Sequence, residues 1–232
     1  MQYKNVTTGT FLKRLNRFTA EVTLNGETLL VHVKNTGRLK ELLIPGTPCG
    51  LCKAQNPERK TAYDLISVLH NDNWVNIDSN APNTVAGEFL RNGGLGEITC
   101  LKAEQFYCTA DGTDRSRFDF YAEFKNGKQA YIEVKGVTLV ENGIAKFPDA
   151  PTTRGARHVK TLQECIRNGY AAYVLFVIQR KDASVFSPHD ENDPAFACAL
   201  RSAAKSGVQV LAIDCTVSED TLTSRNFVQI QL

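Results

Sequence analysis

Two strand-like runs joined by a short turn constrain the fold of this chain more than any other feature. Residues 116–120 and 131–135 alternate apolar and polar side chains, as half-buried strands do. Between them lies the segment 125–128, with the sequence KNGK, which is rich in turn-forming residues. The pattern predicts an antiparallel hairpin with one buried face and one polar face.

The pairing register of this hairpin follows from side-chain parity. A two-residue loop at Asn126-Gly127 would place apolar side chains opposite charged ones on both faces. A three-residue loop with Gly127 left-handed in a bulge shifts the pairing by one residue and removes the conflict. The bulged register pairs Phe118 with Val134, Phe120 with Ile132, Asp119 with Glu133 and Tyr121 with Tyr131.

The bulged register gathers three charged side chains on the polar face. Asp119 faces Glu133 with about 5 Å between their Cβ atoms, and Lys135 lies beside Glu133, across from Arg117. Two carboxylates this close repel one another unless a cation or a proton lies between them. Oxygen ligands of this kind suit Mg²⁺ or Mn²⁺, which can activate a water for phosphodiester hydrolysis. The alternative is that the three residues form the solvated face of an ordinary hairpin.

Size and composition restrict the class of protein. The chain has 232 residues, of which 42% are hydrophobic and 22% charged, as expected for a globular protein of one large or two small domains. It has no run of about 18 apolar residues. Its N-terminal sequence does not resemble a signal peptide. Together with seven scattered cysteines, these features predict a cytoplasmic protein that does not bind a membrane.

The first third of the chain alternates like a small antiparallel barrel. Its strand-like runs and a helical turn near 38–43 resemble an OB-fold, which commonly binds nucleic acids across its strand face. Residues 1–53 contain eight Lys and Arg but three Glu, and this excess of positive charge indicates a polyanionic partner. The predicted strands are 18–24, 28–33, 49–53, 63–70 and 74–77.

The rest of the chain is typical of a mixed α/β domain. The polar segment 78–83 separates it from the barrel, so that the predicted domains are 1–80 and 81–232. The run 170–178 is almost entirely apolar, which predicts a central strand covered on both faces. The expected architecture is therefore an OB-fold-like barrel followed by an α/β domain with a mixed central sheet.

Turn-forming sequence at 147–158 leads into a predicted helix. A helix N-terminus that carries Arg, His and Thr side chains suits a phosphate group. Arg154 and His158 are four residues apart and therefore share one face of the first turns. The pair is a candidate phosphate site, with a pair of ordinary surface residues as the alternative.

Eight short runs occur in order along the chain. They are NTGRL at 35–39, ELL at 41–43, SRFDF at 116–120, IEVKGVTL at 132–139, FPDA at 147–150, RG at 154–155, FSP at 186–188 and GV at 207–208. In these runs the chain resembles the sugar fermentation stimulation protein family nearly end to end. The resemblance implies an N-terminal OB-fold and a domain similar to PD-(D/E)xK nucleases. It also implies DNA binding without sequence preference and a regulatory role in sugar (maltose) metabolism.

The resemblance also implies a set of catalytic residues. Asp119 matches the family's metal-binding Asp, Glu133 and Lys135 match its ExK element, and Glu88 matches an acid on a helix. We expect Mg²⁺ or Mn²⁺ to be held by Asp119, Glu133 and the carbonyl of Val134. Lys135 is then expected to orient or deprotonate the attacking water, and Glu88 to hold a further water or ion.

The expected partner is DNA, bound through basic and polar side chains in a salt-dependent manner. One alternative is a non-catalytic DNA-binding regulator that uses the nuclease fold as a scaffold. A further alternative is RNA binding through the barrel. The residues expected to contact the nucleic acid are Lys13, Arg14, Arg17, Asn35, Arg38, Arg154 and His158.

Overall fold

Six strands lie near the N-terminus, and five of them close into a small barrel. They are β1 (Val6–Arg14), β2 (Thr19–Leu24), β3 (Glu27–Val33), β4 (Pro48–Lys53), β5 (Tyr63–His70) and β6 (Asn73–Asn76). The computed structural model that shows them describes residues 1–108 and 115–232. The strand order β3-β2-β1-β4-β5 closes through a parallel pairing of β3 with β5, and β6 extends β5. This five-stranded closure confirms the predicted OB-like barrel.

The five predicted barrel strands are confirmed, each to within one residue, whereas β1 was not predicted. Gly9 lies in the middle of β1 and weakens the strand pattern in the sequence. A Cβ atom at Gly9 would lie 2.8 Å from Leu51 Cδ1 and 2.9 Å from the carbonyl oxygen of Thr23. Glycine therefore permits β1 to pack closely against its neighbours, and this reason for the residue is visible only in three dimensions.

The second domain is a mixed sheet covered by helices on both faces. Its elements are α1 (Ala81–Arg91), β7 (Ile98–Cys108), β8 (Arg115–Phe124), β9 (Gln129–Val137), β10 (Val140–Glu141), β11 (Ile144–Phe147), α2 (Thr153–Arg167), β12 (Ala171–Ile178), β13 (Val185–Pro188), α3 (Pro194–Lys205), β14 (Gln209–Val217), β15 (Leu222–Phe227) and β16 (Gln229–Ile230). The main sheet has the order β15-β14-β12-β9-β8-β7. A smaller sheet has the order β10-β11-β13-β16.

Strand β12 is the central strand that the apolar run predicted. It lies between β9 and β14 and runs parallel to both, while β8 and β15 are antiparallel to their neighbours. Helix α1 packs on one face of the sheet, and α2 and α3 pack on the other. The mixed central sheet is confirmed.

Helix α1 begins inside the polar segment that separates the predicted domains. The polar segment 78–83 was predicted to be a linker, but the helix starts inside it at Ala81. Pro82 occupies the first turn, where its fixed φ favours the helix and its missing N–H costs nothing. No helix in the described ranges is long and apolar enough to span a membrane.

The predicted turn between β8 and β9 is confirmed. Phe124 and Lys128 pair across the loop, the amide of Gly127 donates to the carbonyl of Phe124, and Gly127 has a φ of +81°. Phe120 is opposite Ile132, as the bulged register requires. Local turn chemistry therefore determined the register of this hairpin.

The predicted pairing of Phe118 with Val134 is wrong. Phe118 packs with Tyr131 and with the core under α2, whereas Val134 belongs to the core under α1. Phe118 and Phe120 point to opposite faces although they are two residues apart, so the alternation of β8 shifts at Asp119. Glu104 on β7, between the residues that pair with Phe118 and Phe120, has a left-handed φ of +55° and marks the same irregularity.

Candidate metal site and nucleic-acid interface

Asp119 lies where the side-chain alternation of β8 shifts, between β9 and the start of α1. Its Oδ2 accepts a hydrogen bond of 2.7 Å from the backbone amide of Val134. Its Oδ1 accepts one of 2.8 Å from the side-chain amide of Asn83. The shift in alternation at this residue therefore turns the carboxylate toward the middle of β9, at Glu133 and Val134.

Glu133 is an almost fully buried carboxylate on β9. Its Oε1 is 2.5 Å from the ammonium of Lys135 and 2.6 Å from Nδ1 of His158. Its Oε2 is buried and has no hydrogen-bond partner among the described residues. A buried polar atom left unpaired typically costs about 1–3 kcal/mol, and more when it is charged. One oxygen is therefore fixed by two partners while the other is available to a ligand.

The environment separates the pKa values of the two carboxylates. Burial and the negative charge of Glu133 raise the pKa of Asp119, and the bonds from Val134 and Asn83 offset this only in part. Burial also opposes ionisation of Glu133, but the hydrogen bond with His158 and the charge of Lys135 outweigh it and lower its pKa. The pair is thus poised to gain from a neighbouring cation.

The donor set fits a small, hard divalent cation. The unpaired Oε2 of Glu133 and the carboxylate of Asp119 are oxygen ligands of the kind that Mg²⁺ and Mn²⁺ prefer. Among residues 1–108 and 115–232, no group of three or more His, Cys, Asp or Glu side chains is placed to hold a metal. Mg²⁺ commonly uses one or two carboxylates with waters and substrate phosphates. The carbonyl of Val134 stays a predicted third ligand.

Glu88 does not join this cluster. Its carboxylate accepts a 2.7 Å hydrogen bond from the amino group of Met1, which also donates to the carbonyl of Leu222. Asn83 and Glu88 are five residues apart on α1, which turns their side chains about 140° from one another around the helix axis. Because Asn83 points to Asp119, Glu88 faces elsewhere. Glu88 is thus paired away from Asp119, its expected catalytic role stays a prediction, and Asn83 is the α1 residue that contacts Asp119.

Close packing of α1 on β9 places Asn83 there. A Cβ atom at Gly136 would lie 2.6 Å from Pro82 Cγ and 2.7 Å from Oε1 of Gln179. Only glycine next to Lys135 permits the first turn of α1 to approach this closely. The sequence did not single out Asn83, because its position depends on this contact between distant segments.

His158 is not the surface phosphate ligand that its spacing from Arg154 suggested. It is buried, with 3% of its surface exposed, and points at Glu133 from the inner face of α2. Arg154 is exposed, and its Nε is 3.5 Å from Nε2 of His158. The inner-face spacing that His158 shares with Leu162 and Cys165 was a sequence signal for burial. Arg154 remains available for a phosphate.

Arg14 is committed to the protein backbone. Its guanidinium donates to five carbonyl oxygens, two of them in the loop between β1 and β2 and three in the segment after β3. An arginine side chain has five N–H donors, so none is left for a phosphate. The acceptors are Asn16, Arg17, Asn35, Gly37 and Arg38. Arg14 is therefore corrected from a DNA contact to a clamp that joins two loops.

Two other predicted contacts are also partly committed. Asn35 accepts from the amide of Gly37 and donates to the carbonyl of Ile77, so it shapes its loop rather than presenting a free amide. Lys13 is exposed, but its ammonium is 3.1 Å from the carboxylate of Glu21. Of the predicted barrel contacts, Arg17 and Arg38 are exposed and carry their charge into solvent.

A groove of about 660 Å³ runs beside the loop between β1 and β2 and the segment after β3. The second domain contributes Ala150 to its wall. A smaller cavity of about 130 Å³ lies next to it at the domain junction and reaches Gly136, the residue after Lys135. The groove is lined by Arg14, Asn16, Arg17, Thr36, Gly37, Arg38, Lys40, Leu43 and Ala150.

The fold and the site together define a class of protein: an OB-type barrel joined to a mixed α/β domain that carries a buried carboxylate–lysine–histidine cluster. Two family models match the chain in this order. The SfsA N-terminal OB domain matches residues 12–77, and the sugar fermentation stimulation protein RE domain matches residues 80–221. The chain belongs to the sugar fermentation stimulation protein (SfsA) family.

Relatives of similar length support this assignment. A sugar fermentation stimulation protein homolog from Ruminiclostridium cellulolyticum is 49% identical and one from Clostridium beijerinckii is 46% identical, each over the whole of both chains. The solved structure of Pyrococcus furiosus SfsA in complex with Ca²⁺ has a TM-score of 0.85 and 26% identity. That match covers 100% of this chain and 98% of the other.

Proposed function

We propose that this protein binds DNA without sequence preference and carries a Mg²⁺- or Mn²⁺-dependent phosphodiesterase site. The observation that carries the proposal is the buried, unpaired Oε2 of Glu133 beside Asp119. A carboxylate held ionised in the core, with one oxygen free, is suited to bind a cation. The Ca²⁺ bound to the Pyrococcus relative supports a divalent cation, because Ca²⁺ also prefers oxygen ligands.

Each residue of the cluster has a distinct role in this proposal. Asp119 and Glu133 hold the cation, together with the carbonyl of Val134. The cation would supply Lewis-acid stabilisation of phosphate charge and lower the pKa of a water. Lys135, which is 18% exposed, orients or deprotonates that water and offsets charge on the phosphorane. His158 keeps Glu133 in position.

DNA binding is proposed to use the exposed cations around the groove. Arg17 and Arg38 on the barrel side and Arg154 on the second domain contact backbone phosphates, so affinity falls as salt concentration rises. Such contacts carry no sequence information, which accounts for binding without sequence preference. Binding of this kind is also what a regulatory role in sugar (maltose) metabolism would require.

A cleavage panel tests the enzyme. We expect the wild-type protein with Mg²⁺ or Mn²⁺ to cut plasmid or single-stranded DNA. Asp119→Ala should abolish cleavage and keep most of the DNA affinity. Asp190→Ala is the matched control, because Asp190 is an exposed partner of Arg201 on α3. Absence of cleavage with either metal on DNA and RNA substrates would contradict the enzymatic proposal.

A second candidate is a DNA-binding regulator that retains the fold as a scaffold. The observation in its favour is that Lys135 and His158 already contact Glu133, while Glu88 is paired with Met1. The cluster could therefore be stable without a metal. Calorimetric titration with Mg²⁺ and Mn²⁺ separates the two candidates, because a scaffold should bind neither cation at millimolar concentration. Tighter binding to RNA than to DNA would instead indicate the RNA-binding alternative.

A further inference from the structure

The groove beside the barrel combines an apolar floor with a cationic rim. Its lining includes the apolar side chains of Leu43 and Ala150, called the floor below, and the charged side chains of Arg17, Arg38 and Lys40, called the rim. We propose that this groove binds single-stranded nucleic acid, with bases against the floor and phosphates on the rim. The inference rests on the proposed nucleic-acid binding and adds the substrate class, but it does not depend on the metal site.

The charges on the rim are available for phosphates. The side chains of Arg38 and Lys40 have no hydrogen-bond or ion-pair partner in the part of the chain that the structure describes. The guanidinium of Arg17 lies 5.8 Å from the centroid of the Phe18 ring. Three cations within one short surface provide the attraction that a nucleic-acid backbone needs.

Phe18 provides an aromatic surface next to the groove-lining residues Asn16 and Arg17. Its side chain is 50% exposed although it is large and apolar, and its amide donates to the side chain of Asn16, which lines the groove. Stacking of a base on an exposed aromatic ring is worth about 1–3 kcal/mol and tolerates every base. In a duplex the faces of the bases are hidden, so an apolar floor and an exposed ring favour unpaired bases.

The loops that present these groups are held in place before any ligand binds. The clamp made by Arg14 ties the turn after β1 to the segment after β3 through five carbonyl oxygens. Because Arg17 and Arg38 themselves supply two of these carbonyls, their backbones are held by the clamp. A pre-ordered surface loses less conformational entropy on binding than a mobile one.

An acidic group, Asp149, lies beside the groove in the wall of the smaller cavity. A Cβ atom at Gly37 would lie 2.5 Å from Oδ2 of Asp149, so this exposed carboxylate reaches the loop of the barrel. Its negative charge repels phosphates, and the backbone of a bound strand therefore follows the side of Arg17, Arg38 and Lys40. Asp149→Asn should leave binding unchanged or strengthen it.

Fluorescence anisotropy tests the proposal with the full-length protein in EDTA, where metal chemistry is absent. The probes are labelled oligo(dT), oligo(U), a DNA duplex of the same length and inorganic polyphosphate. We expect both single strands to bind more tightly than the duplex. The oligo(dT) and oligo(U) arms distinguish DNA from RNA as the preferred strand.

Two variants separate stacking from charge. Phe18→Leu should weaken single-strand binding about 5- to 100-fold and leave polyphosphate binding unchanged. Arg38→Gln should weaken both, and lower the slope of log K against log salt by about 0.7 for single strands. Phe227→Leu is the matched control, because Phe227 is 57% exposed on β15 of the second domain, whereas Phe18 follows the groove-lining Arg17 directly in the chain. Thermal melts verify that each variant is folded.

Three outcomes would overturn the inference. They are a duplex that binds as tightly as the single strands, a Phe18→Leu variant that behaves like Phe227→Leu, and polyphosphate binding that is as sensitive to Phe18→Leu as oligo(dT) binding. A failure of the cleavage panel would leave these results in EDTA unaffected. The two proposals therefore fail separately.

Discussion

At the scale of single residues, the main finding is the way in which the protein keeps Glu133 ionised. Removing a carboxylate from water is costly unless partners replace its hydration. His158 and Lys135 both contact Oε1, so the compensation is concentrated on one oxygen. The other oxygen, Oε2, has no partner among the described residues and remains available to a ligand. In the proposed metal site, His158 is therefore the residue that holds Glu133 in position.

The role of His158 can be tested by measuring metal affinity. His158→Leu should weaken Mn²⁺ binding about 10- to 100-fold, as loss of an outer partner of a metal ligand typically does. It should also lower the free energy of unfolding by about 3 kcal/mol, because a buried charge loses a partner. His158→Gln should recover part of both losses, since its amide can donate to Oε1.

Calorimetry measures the Mn²⁺ affinity of the His158 variants, and urea unfolding measures their stability. His189→Gln is the control, because among the described residues the one hydrogen-bond partner of its ring is the backbone carbonyl of Pro148. Wild-type Mn²⁺ affinity in a folded His158→Leu variant would contradict the positioning role.

The ion cluster around Asp64 predicts how stability depends on pH. Burial opposes ionisation of Asp64, but its bonds with Arg59 and His32 outweigh this and hold its pKa below 3.8. A depressed pKa means that the folded state favours the charged form, so the stabilisation is present at neutral pH. It is lost as the pH falls below 3.8 through the folded-state pKa.

Asp64→Asn should therefore cost about 1–2 kcal/mol at pH 7, and this difference from the wild type should shrink below about pH 4. Urea midpoints measured from pH 7 to pH 3 provide the comparison. Asp190→Asn, which breaks an exposed pair, should show a much smaller difference at neutral pH. A constant difference at all pH values would show that Asp64 stabilises the barrel by some means other than charge.

At the scale of elements, the Arg14 clamp replaces regular structure in two loops. The turn between β1 and β2 and the segment after β3 leave carbonyl groups that no strand satisfies. One planar guanidinium with five donors serves all of them, which a lysine ammonium with three donors cannot do. The clamp thus depends on the shape of the side chain as well as its charge.

Arg14→Lys keeps the charge and removes the clamp. We expect it to lower the free energy of unfolding by about 1–3 kcal/mol, because carbonyl acceptors lose their donors. Oligo(dT) affinity should also fall, since the loops that carry Arg17 and Arg38 are released. Lys13→Arg is the matched control, because it also preserves charge on β1. Unchanged oligo(dT) affinity in Arg14→Lys would indicate that the clamp does not pre-order the groove.

At the scale of the whole molecule, the two domains share a polar junction around Gln179. The buried side-chain amide of Gln179 lies within 3.1 Å of three oxygen atoms of the barrel end, which belong to Asn76 and Asp78. The amide of Asn76 donates in return to the carbonyl of Gln179. Because these groups are buried, the domains satisfy each other's backbone and should unfold together.

Gln179→Leu tests this coupling. It removes the donor and leaves buried acceptors unpaired, so the free energy of unfolding should fall by about 3 kcal/mol and the Tm by about 6–12 °C. Calorimetry should show two transitions where the wild type shows one. Gln163→Leu is the control, because Gln163 bonds the hydroxyls of Ser202 and Ser206 away from the junction. A single, equally sharp transition in Gln179→Leu would exclude this junction as the coupling element.

Features that depend on neighbours in the chain were predictable from the amino-acid sequence. The turn around Gly127 predicted the hairpin register next to the loop, and the apolar run 170–178 predicted the central strand. Both succeed because turn chemistry and hydrophobic periodicity act over a few residues. The predicted register also grouped Asp119, Glu133 and Lys135, although the alternation of β8 shifts at Asp119 in the structure. The family resemblance then indicated the barrel and the order of the two domains.

The hydrogen-bond partner of each polar side chain became known from the tertiary structure alone. The spacing of Arg154 and His158 is the same whether His158 faces solvent or Glu133. The packing of α2 on the sheet turns His158 toward Glu133. Glu88 likewise contacts Met1 and not Asp119. The contact of α1 with Gly136 determines which face of the helix reaches Asp119. Hydrogen bonds between distant segments depend on orientations that no local pattern encodes.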